Sequence, residues 1–137
     1  MRQAVFPESL RDAVAATGFS PAIRAGEFLF LTGATGGRTD GTMPATGAEQ
    51  AEVALGKALT VLNAAGVGPE AVAELTSYHT GIAEDFDAIQ AVMTRLLGLP
   101  LPAWTAVEVA GLRRPGARVE FRIVAHVPTG TASDPQL

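Results

Sequence analysis

Two charged residues near the carboxyl end have the types and the spacing for small-molecule chemistry. Glu120 and Arg122 are two residues apart in a segment typical of a β-strand, so both side chains should point the same way. A carboxylate beside a guanidinium can bind a small acid and position a water molecule for proton transfer. The alternative is a cross-strand ion pair that supports a subunit contact, and spacing alone favours that interpretation. Because the register of the strands is not known from the sequence, which glutamate would pair with Arg122 stays open. Glu108 is expected on the same face.

The other polar residues give weaker signals. His79 and His126 are the two histidines of the chain and fall on different predicted strands, so both are interpreted as structural or surface residues rather than metal ligands. The glycine-rich segment 33–37 lacks the Lys-Ser/Thr pair of a phosphate-binding loop and is interpreted as turns. The chain has no cysteine, which excludes disulfides, thiolate metal sites and cysteine nucleophiles. Neither a metal nor a cofactor is predicted.

Alternating hydrophobicity predicts the strands that would hold these residues. In 118–127, one face carries Val119, Phe121, Ile123, Ala125 and Val127, and the other carries Arg118, Glu120, Arg122 and His126. A strand over 103–110 precedes it, and Arg113–Gly116 is predicted as the turn that joins the two in a hairpin. Residues 22–25 and 27–32 predict another hairpin, its second strand almost wholly buried. A further strand is predicted over 72–82.

Two amphipathic helices are predicted between the strands. Thr46 and Glu49 match a capping box, helical spacing of apolar residues follows, and Gly66 is a suitable end. Asp85 is predicted to cap the second helix, which Gly98 ends. A short helix is predicted over 7–16. The order ββ-α-β-α-ββ indicates an α+β fold with two helices on one face of a mostly antiparallel sheet.

Composition adds a prediction about assembly. The 137 residues fit one domain, 47% are hydrophobic and only 18% are charged, against about 25% charged residues in typical soluble domains. No remaining segment can cover the second face of the sheet, so we expect an oligomer. The net charge of −4 gives no broad surface for nucleic acid, and no apolar run has the length of a membrane span. A cytoplasmic location without nucleic-acid or membrane partners is expected.

Several segments together resemble the Rid family of reactive intermediate deaminases, or YjgF-like proteins. They are Phe-Ser-Pro-Ala-Ile-Arg-Ala-Gly at 19–26, Phe-Leu-Phe-Leu-Thr-Gly at 28–33, Gln50, Pro-Ala at 102–103 before Val-Glu-Val at 107–109, and Gly-Ala-Arg-Val-Glu at 116–120. The resemblance extends from about residue 19 to residue 127. It identifies 1–137 as a single domain of this kind, with residues 1–18 as an amino-terminal extension and 128–137 as a flexible tail.

The resemblance implies a chorismate-mutase-like α+β fold and a homotrimer with inward-facing sheets and pockets at the subunit interfaces. Family members that hydrolyse enamines and imines use no cofactor. They hold the substrate carboxylate with an arginine directly after the Pro-Ala pair, and a glutamate matching Glu120 is linked to the attacking water. Here the residue after Pro-Ala is Trp104, and an indole cannot form the bidentate bond of a guanidinium.

The expected roles follow from this substitution. Glu120 would position water, Arg122 would bind the acid group, and Trp104 and Phe19 would form an apolar wall. The other substrate-binding candidates are Thr32, Gly33, Tyr78, Gln90 and Thr105. Two functions stay open: an enzyme acting on a small imine, enamine or carbonyl acid, and a non-catalytic module that binds a metabolite or a partner. An endoribonuclease is the least favoured because the chain is acidic and has no basic, aromatic-rich stripe.

Overall fold

One sheet of seven strands organises the chain in a computed structural model that describes residues 2–128. The strands are β1 (Gln3–Val5), β2 (Ala22–Ala25), β3 (Phe28–Leu31), β4 (Ala34–Thr35), β5 (Val72–His79), β6 (Ala103–Glu108) and β7 (Val119–His126). Their order across the sheet is β1-β2-β3-β7-β5-β6, and β4 also pairs with β7. Within the described residues only the β5–β6 pair is parallel, so the sheet is mostly antiparallel, as predicted.

Three α-helices accompany the sheet: α1 (Arg11–Thr17), α2 (Gly47–Ala64) and α3 (Ile82–Leu97). The predicted capping box is confirmed, because the Thr46 hydroxyl accepts from the Glu49 amide at 3.1 Å and donates to the Glu49 carboxylate at 2.9 Å. The prediction that Asp85 caps α3 is wrong. Gly81 is the capping residue, and the Asp85 carboxylate lies in the first turn, where it accepts from Arg118 Nε at 2.8 Å.

The core lies between α2, α3 and the inner face of the sheet. The face of β7 predicted to be apolar is buried, and it packs with β3, β5 and both long helices. The largest buried members of this core are Leu29, Leu55, Leu62, Leu75, Ile89, Met93, Phe121 and Ile123. The two predicted helices therefore cover one face of the sheet, which confirms the α+β fold class.

Within residues 2–128, no helix covers the opposite face of the sheet, here called the open face. Glu120, Arg122 and His126 lie on it, as the alternation predicts. The expectation that the strand at 27–32 is almost wholly buried is wrong, because Phe28 and Phe30 point to this face and are 47% and 40% exposed. Alternation places every second residue of β3 on the face that the helices cannot reach.

The predicted hairpin between β6 and β7 does not form. β5 lies between these strands: it pairs with β6 in parallel and with β7 antiparallel. Glu108 is opposite His79 in this register and faces the helices, not Glu120, and its carboxylate accepts from the Ile82 amide at 3.0 Å. β5 consequently ends at His79, and Ile82, expected at the end of that strand, begins α3. Arg118, expected beside Glu120, is bound to α3 instead.

The amino-terminal extension belongs to the fold. β1, which the sequence analysis missed, pairs with β2, and Val5, Phe6 and Val14 are buried. The short predicted helix is present as a 3₁₀ turn followed by α1. Of the predicted tail, only Pro128 is among the described residues. Among these residues, no helix is both long and apolar enough to cross a membrane.

Candidate functional site

Two neighbouring cavities meet at Thr32, Gly33 and Glu120. The first has a volume of about 590 Å³ and is lined by Phe19, Thr32, Gly33, Thr35, Arg113, Arg114, Pro115 and Glu120. The second has a volume of about 460 Å³ and adds Leu31, Tyr78, Val109, Gly111, Leu112 and Arg122 around the same three residues. Glu120 therefore stands between two recesses of a size suited to small metabolites.

Strand pairing and a glycine fix the position of Glu120. Its strand β7 is held between β4, where Thr35 is its partner, and β5, where Tyr78 is its partner. The Glu120 carboxyl lies so close to Gly33 that a Cβ at position 33 would overlap it. Within residues 2–128 this carboxylate has neither a hydrogen bond nor an ion pair. It is thus placed firmly and left free for a water molecule or a ligand.

The loop between β6 and β7 brings Arg113 and Arg114 to the first cavity, a feature that the sequence analysis interpreted only as a turn. Arg114 is partly buried, and its guanidinium lies over Gly37, where a Cβ would come within 2.6 Å of Nη1. It also donates to the Gly41 carbonyl at 3.4 Å. Two adjacent arginines in a chain with only ten basic residues were the signal that could have drawn attention to this loop.

A buried glutamine anchors that loop. Gln50 on α2 is 1% exposed, and its amide nitrogen donates to the carbonyls of Pro44 at 2.8 Å and Gly116 at 3.1 Å. Its amide oxygen accepts from the Arg118 backbone N–H at 2.7 Å. Gly36 packs directly on the backbone of Gln50, since a Cβ there would lie 2.5 Å from the Gln50 Cα. The glycine-rich segment and the arginine loop are therefore joined through one side chain.

Positive charge accumulates on this side of the site. The Lys57 ammonium donates to the Gly37 carbonyl at 2.9 Å, so it lies on the same glycine as Arg114. Burial and the nearby Arg114 guanidinium lower the pKa of Lys57. Among the described residues, no carboxylate forms an ion pair with Lys57, Arg113 or Arg114. The first cavity itself is lined by two arginines and one carboxylate, that of Glu120, and Lys57 lies beside Arg114.

Arg122 lies in the second cavity together with Tyr78. Its Nη1 atom is 3.9 Å from Glu74 Oε1, and both side chains are about half exposed. Arg122 therefore has a cross-strand carboxylate neighbour, but this is Glu74 on β5 and not Glu108 or Glu120, the two considered from the sequence.

Trp104 lies on the helix side of the sheet, away from Glu120. Its strand partner is Leu75, its indole N–H donates to Ser77 Oγ at 2.8 Å, and its ring stacks on Phe86 with centroids 4.9 Å apart. Ser77 Oγ is also 2.7 Å from His79 Nε2. Burial lowers the pKa of His79, so the neutral imidazole is favoured in this interior.

The structure therefore divides the predicted site residues into two groups. Around the two cavities it brings together Phe19, Thr32, Gly33, Tyr78, Glu120 and Arg122. Trp104, Thr105 and Gln90 line neither cavity. Thr105 is exposed on the edge strand β6, and Gln90 is exposed on α3, one turn beyond Phe86. In residues 2–128, no three histidine or acidic side chains are grouped closely enough to hold a metal ion.

Comparison with known proteins agrees with this fold. Residues 10–127 match the family described as endoribonuclease L-PSP. The chain is 34% identical over 128 residues to the RutC family protein YjgH of Escherichia coli (strain K12), covering 93% of this chain and 96% of that protein. The solved structure of protein YJGH superposes with a TM-score of 0.81 at 34% identity, over 93% of this chain and 97% of the other.

A second solved structure extends the comparison. Rv2704 of Mycobacterium tuberculosis, described as a member of the YjgF/YER057c/UK114 family, has a TM-score of 0.75 and 28% identity, over 93% of this chain and all of that one. The family match covers most of the sheet and the helices α2 and α3 that position Glu120. On this evidence the chain belongs to the YjgF, or Rid, family.

Proposed function

We propose that this chain is the subunit of a homotrimer with small-molecule pockets between subunits, where a small imine, enamine or carbonyl acid is transformed without a cofactor. The observation that carries the proposal is the Glu120 carboxylate, which is held against Gly33, has no partner among the described residues, and lines both cavities. A free carboxylate in such a place can act as a general base on water.

Two features support a pocket shared between copies. Phe28 and Phe30 expose apolar area on the open sheet face, which a second copy would cover. Trp104 and Glu120 belong to opposite faces of the sheet, with β5 between their strands. A pocket with Phe19 and Trp104 as its apolar wall, and with Gln90 and Thr105 at its rim, therefore needs Trp104 from one subunit and Glu120 from the next.

The proposed hydrolysis needs only an arginine, the Glu120 carboxylate and water. An arginine of the pocket, expected from the sequence to be Arg122, holds the acid group of the substrate. This contact places the imine carbon beside Glu120. The carboxylate accepts a proton from water while the water oxygen bonds to that carbon and the C=N π electrons move to nitrogen. The proton then passes to nitrogen and gives the carbinolamine. Glu120 next accepts the hydroxyl proton and returns it to nitrogen, so that the C–N bond breaks, ammonia leaves and the C=O bond forms. Water and the imine thus give the oxo acid and ammonia.

Steady-state hydrolysis of a 2-imino acid generated in the assay tests the catalytic role of Glu120. General-base catalysis contributes about 10²–10⁴ in rate, so Glu120→Gln should lose at least about 100-fold in kcat. Glu52→Gln, on the exposed side of α2 and outside both cavities, is the matched control and should keep the wild-type rate. Equal rates for wild type and Glu120→Gln would refute the role.

A binding module without catalysis is the second candidate. The position of Trp104 favours it. The Trp104 N–H is bonded to Ser77 and the ring stacks on Phe86, so this side chain cannot replace an arginine in binding a carboxylate. Assaying Trp104→Arg beside the wild type separates the two. Hydrolysis by the variant alone would indicate an intact scaffold whose natural task is binding, whereas hydrolysis by the wild type supports the enzyme.

Native mass spectrometry tests the assembly separately. A trimer is expected at micromolar protomer concentration, and a stable monomer under those conditions would refute the shared pocket. The variant Phe30→Glu places a charge on the open face and should weaken the trimer. Glu8→Lys on the exposed turn before α1 is a control for the introduced charge and should leave the trimer intact.

A further inference from the structure

The first cavity has two arginines that the catalytic proposal does not use. Resting on that proposed function, we propose that Arg113 and Arg114 in the β6–β7 loop, and not Arg122, bind the acid group of the substrate. They would take the role for which Arg122 was expected. The reactive carbon, next to the carboxylate in such an acid, would then lie toward Glu120 on the far side of the cavity.

The charge distribution supports an anionic ligand. Arg113, Arg114 and nearby Lys57 have no carboxylate partner among the described residues, although Arg114 and Lys57 both lie on Gly37. Cations held close together without a counter-ion repel each other, and burial together with this repulsion lowers the pKa of Lys57. A bound carboxylate would relieve the repulsion and accept hydrogen bonds from a fixed guanidinium. The single opposing carboxylate, Glu120, leaves the cavity with a positive balance.

The loop is held well enough to act as a binding element. Gln50 bonds the Gly116 carbonyl and the Arg118 amide at one end of the loop, and the Ala117 amide donates to the Arg114 carbonyl at 3.1 Å. Arg114 is further restrained by Gly37 and by the Gly41 carbonyl. Groups held in place before binding lose less conformational entropy when the ligand arrives.

Arg122 is less suited to the same role. Its guanidinium is 3.9 Å from the Glu74 carboxylate, so a second anion would have to share it. It also lies in the second cavity, whereas the exposed Phe19 ring lies with Arg113 and Arg114 in the first. Phe19 would contact the apolar side chain of the acid. In the first cavity, the acid group of a ligand would thus contact Arg113 and Arg114, and its short hydrocarbon chain would contact Phe19.

Isothermal titration calorimetry with 2-oxobutanoate, and with its uncharged methyl ester, tests the inference. Wild type should bind the acid at least about ten-fold more tightly than the ester, because charge-assisted hydrogen bonds are the stronger kind. Arg113→Gln and Arg114→Gln should each weaken the binding of the acid about ten-fold and leave the binding of the ester unchanged. Arg38→Gln, in the neighbouring loop and bonded to Thr42 outside the cavity, is the matched control and should stay within two-fold of wild type.

Other outcomes would overturn the inference. For the wild type, these are equal affinities for acid and ester, or no binding of the acid. For the variants, they are wild-type affinity in the Arg113→Gln/Arg114→Gln double variant, or a larger loss of affinity in Arg122→Gln than in either loop variant. Circular dichroism confirms that each variant is folded. Glu120→Gln separates this inference from catalysis: it should still bind 2-oxobutanoate. A wild type that binds the acid but does not hydrolyse imines would refute only the catalytic proposal.

Discussion

Replacing Gln50 by alanine should reveal how much the site depends on one buried amide. The side chain makes three hydrogen bonds of 2.7–3.1 Å and is 1% exposed. A hydrogen bond contributes about 1 kcal/mol net, so the three together contribute about 3 kcal/mol. The substitution would also leave the Pro44 and Gly116 carbonyls and the Arg118 amide without these partners, and water entering the vacated space would offset part of that cost.

The expected loss for Gln50→Ala is therefore about 3 kcal/mol in the free energy of unfolding, or roughly 10 °C in Tm for a domain of this size. Urea unfolding followed by the fluorescence of Trp104, the single tryptophan, measures it. All samples need the same protomer concentration, because association adds to apparent stability. Gln90→Ala removes the same side chain from an exposed position on α3 and should change the free energy by less than about 0.5 kcal/mol.

A loss no larger for Gln50→Ala than for Gln90→Ala would refute the reasoning, because burial and bonding are what distinguish the two glutamines. The anchored loop gives a second readout. If Gln50 holds the arginine loop in place, Gln50→Ala should weaken 2-oxobutanoate binding under conditions where the variant is still folded. Unchanged affinity would separate the stabilising role of Gln50 from any role in the site.

Three further predictions concern the interior and the ends of the elements. Asp85→Ala should lower the free energy of unfolding in urea by about 1–2 kcal/mol, because the largely buried Asp85 carboxylate binds Arg118. Glu84 also contacts Arg118 but is exposed, so Glu84→Ala should change this free energy by less than about 0.5 kcal/mol. Ser77→Ala should lower the free energy of unfolding by about 2 kcal/mol and shift the tryptophan emission. The reason is that the partly buried Trp104 N–H and the buried His79 ring both lose Ser77 Oγ as their hydrogen-bond partner. Burial lowers the pKa of His79 below 6.5, so the unfolded chain takes up the proton at a higher pH than the folded chain does. The free energy of unfolding should therefore be highest above pH 6.5 and fall as the pH drops below that value. In urea unfolding at pH 5–8, His79→Gln should make this decline less steep.

Local patterns predicted the parts of the fold that depend on neighbours in sequence. The Thr46 cap of α2 and the two faces of β7 follow from hydrogen bonds and alternation within a few residues, and both are confirmed. The fold class followed from the order of such elements. The same local information placed Glu120 and Arg122 on one face correctly, because a strand alternates whatever its partners are.

Strand neighbours depend on contacts far apart in sequence, and there the local patterns were not enough. The strand predicted over 103–110 is present as β6, but the face of Trp104 relative to Glu120 depends on β5, which lies between their strands. The predicted hairpin put Glu108 on the wrong side for the same reason. Arg113 and Arg114 have no periodicity at all, because a loop does not alternate. Their direction toward the cavity depends on the bonds of Gln50 to residues 116 and 118.

The unusual composition and the open sheet face have one physical explanation in the proposed trimer. A chain with 18% charged residues needs a place for its apolar surface, and the exposed Phe28 and Phe30 lie on the one sheet face without helices. That face also carries Glu120 and Arg122, which line the second cavity, and Glu74 and His126, which line neither of the two cavities. Burying charge between subunits is costly without a partner, so the charged part should border a wet pocket while the apolar part forms the contact. The same division would leave Glu120 accessible to a small acid after assembly.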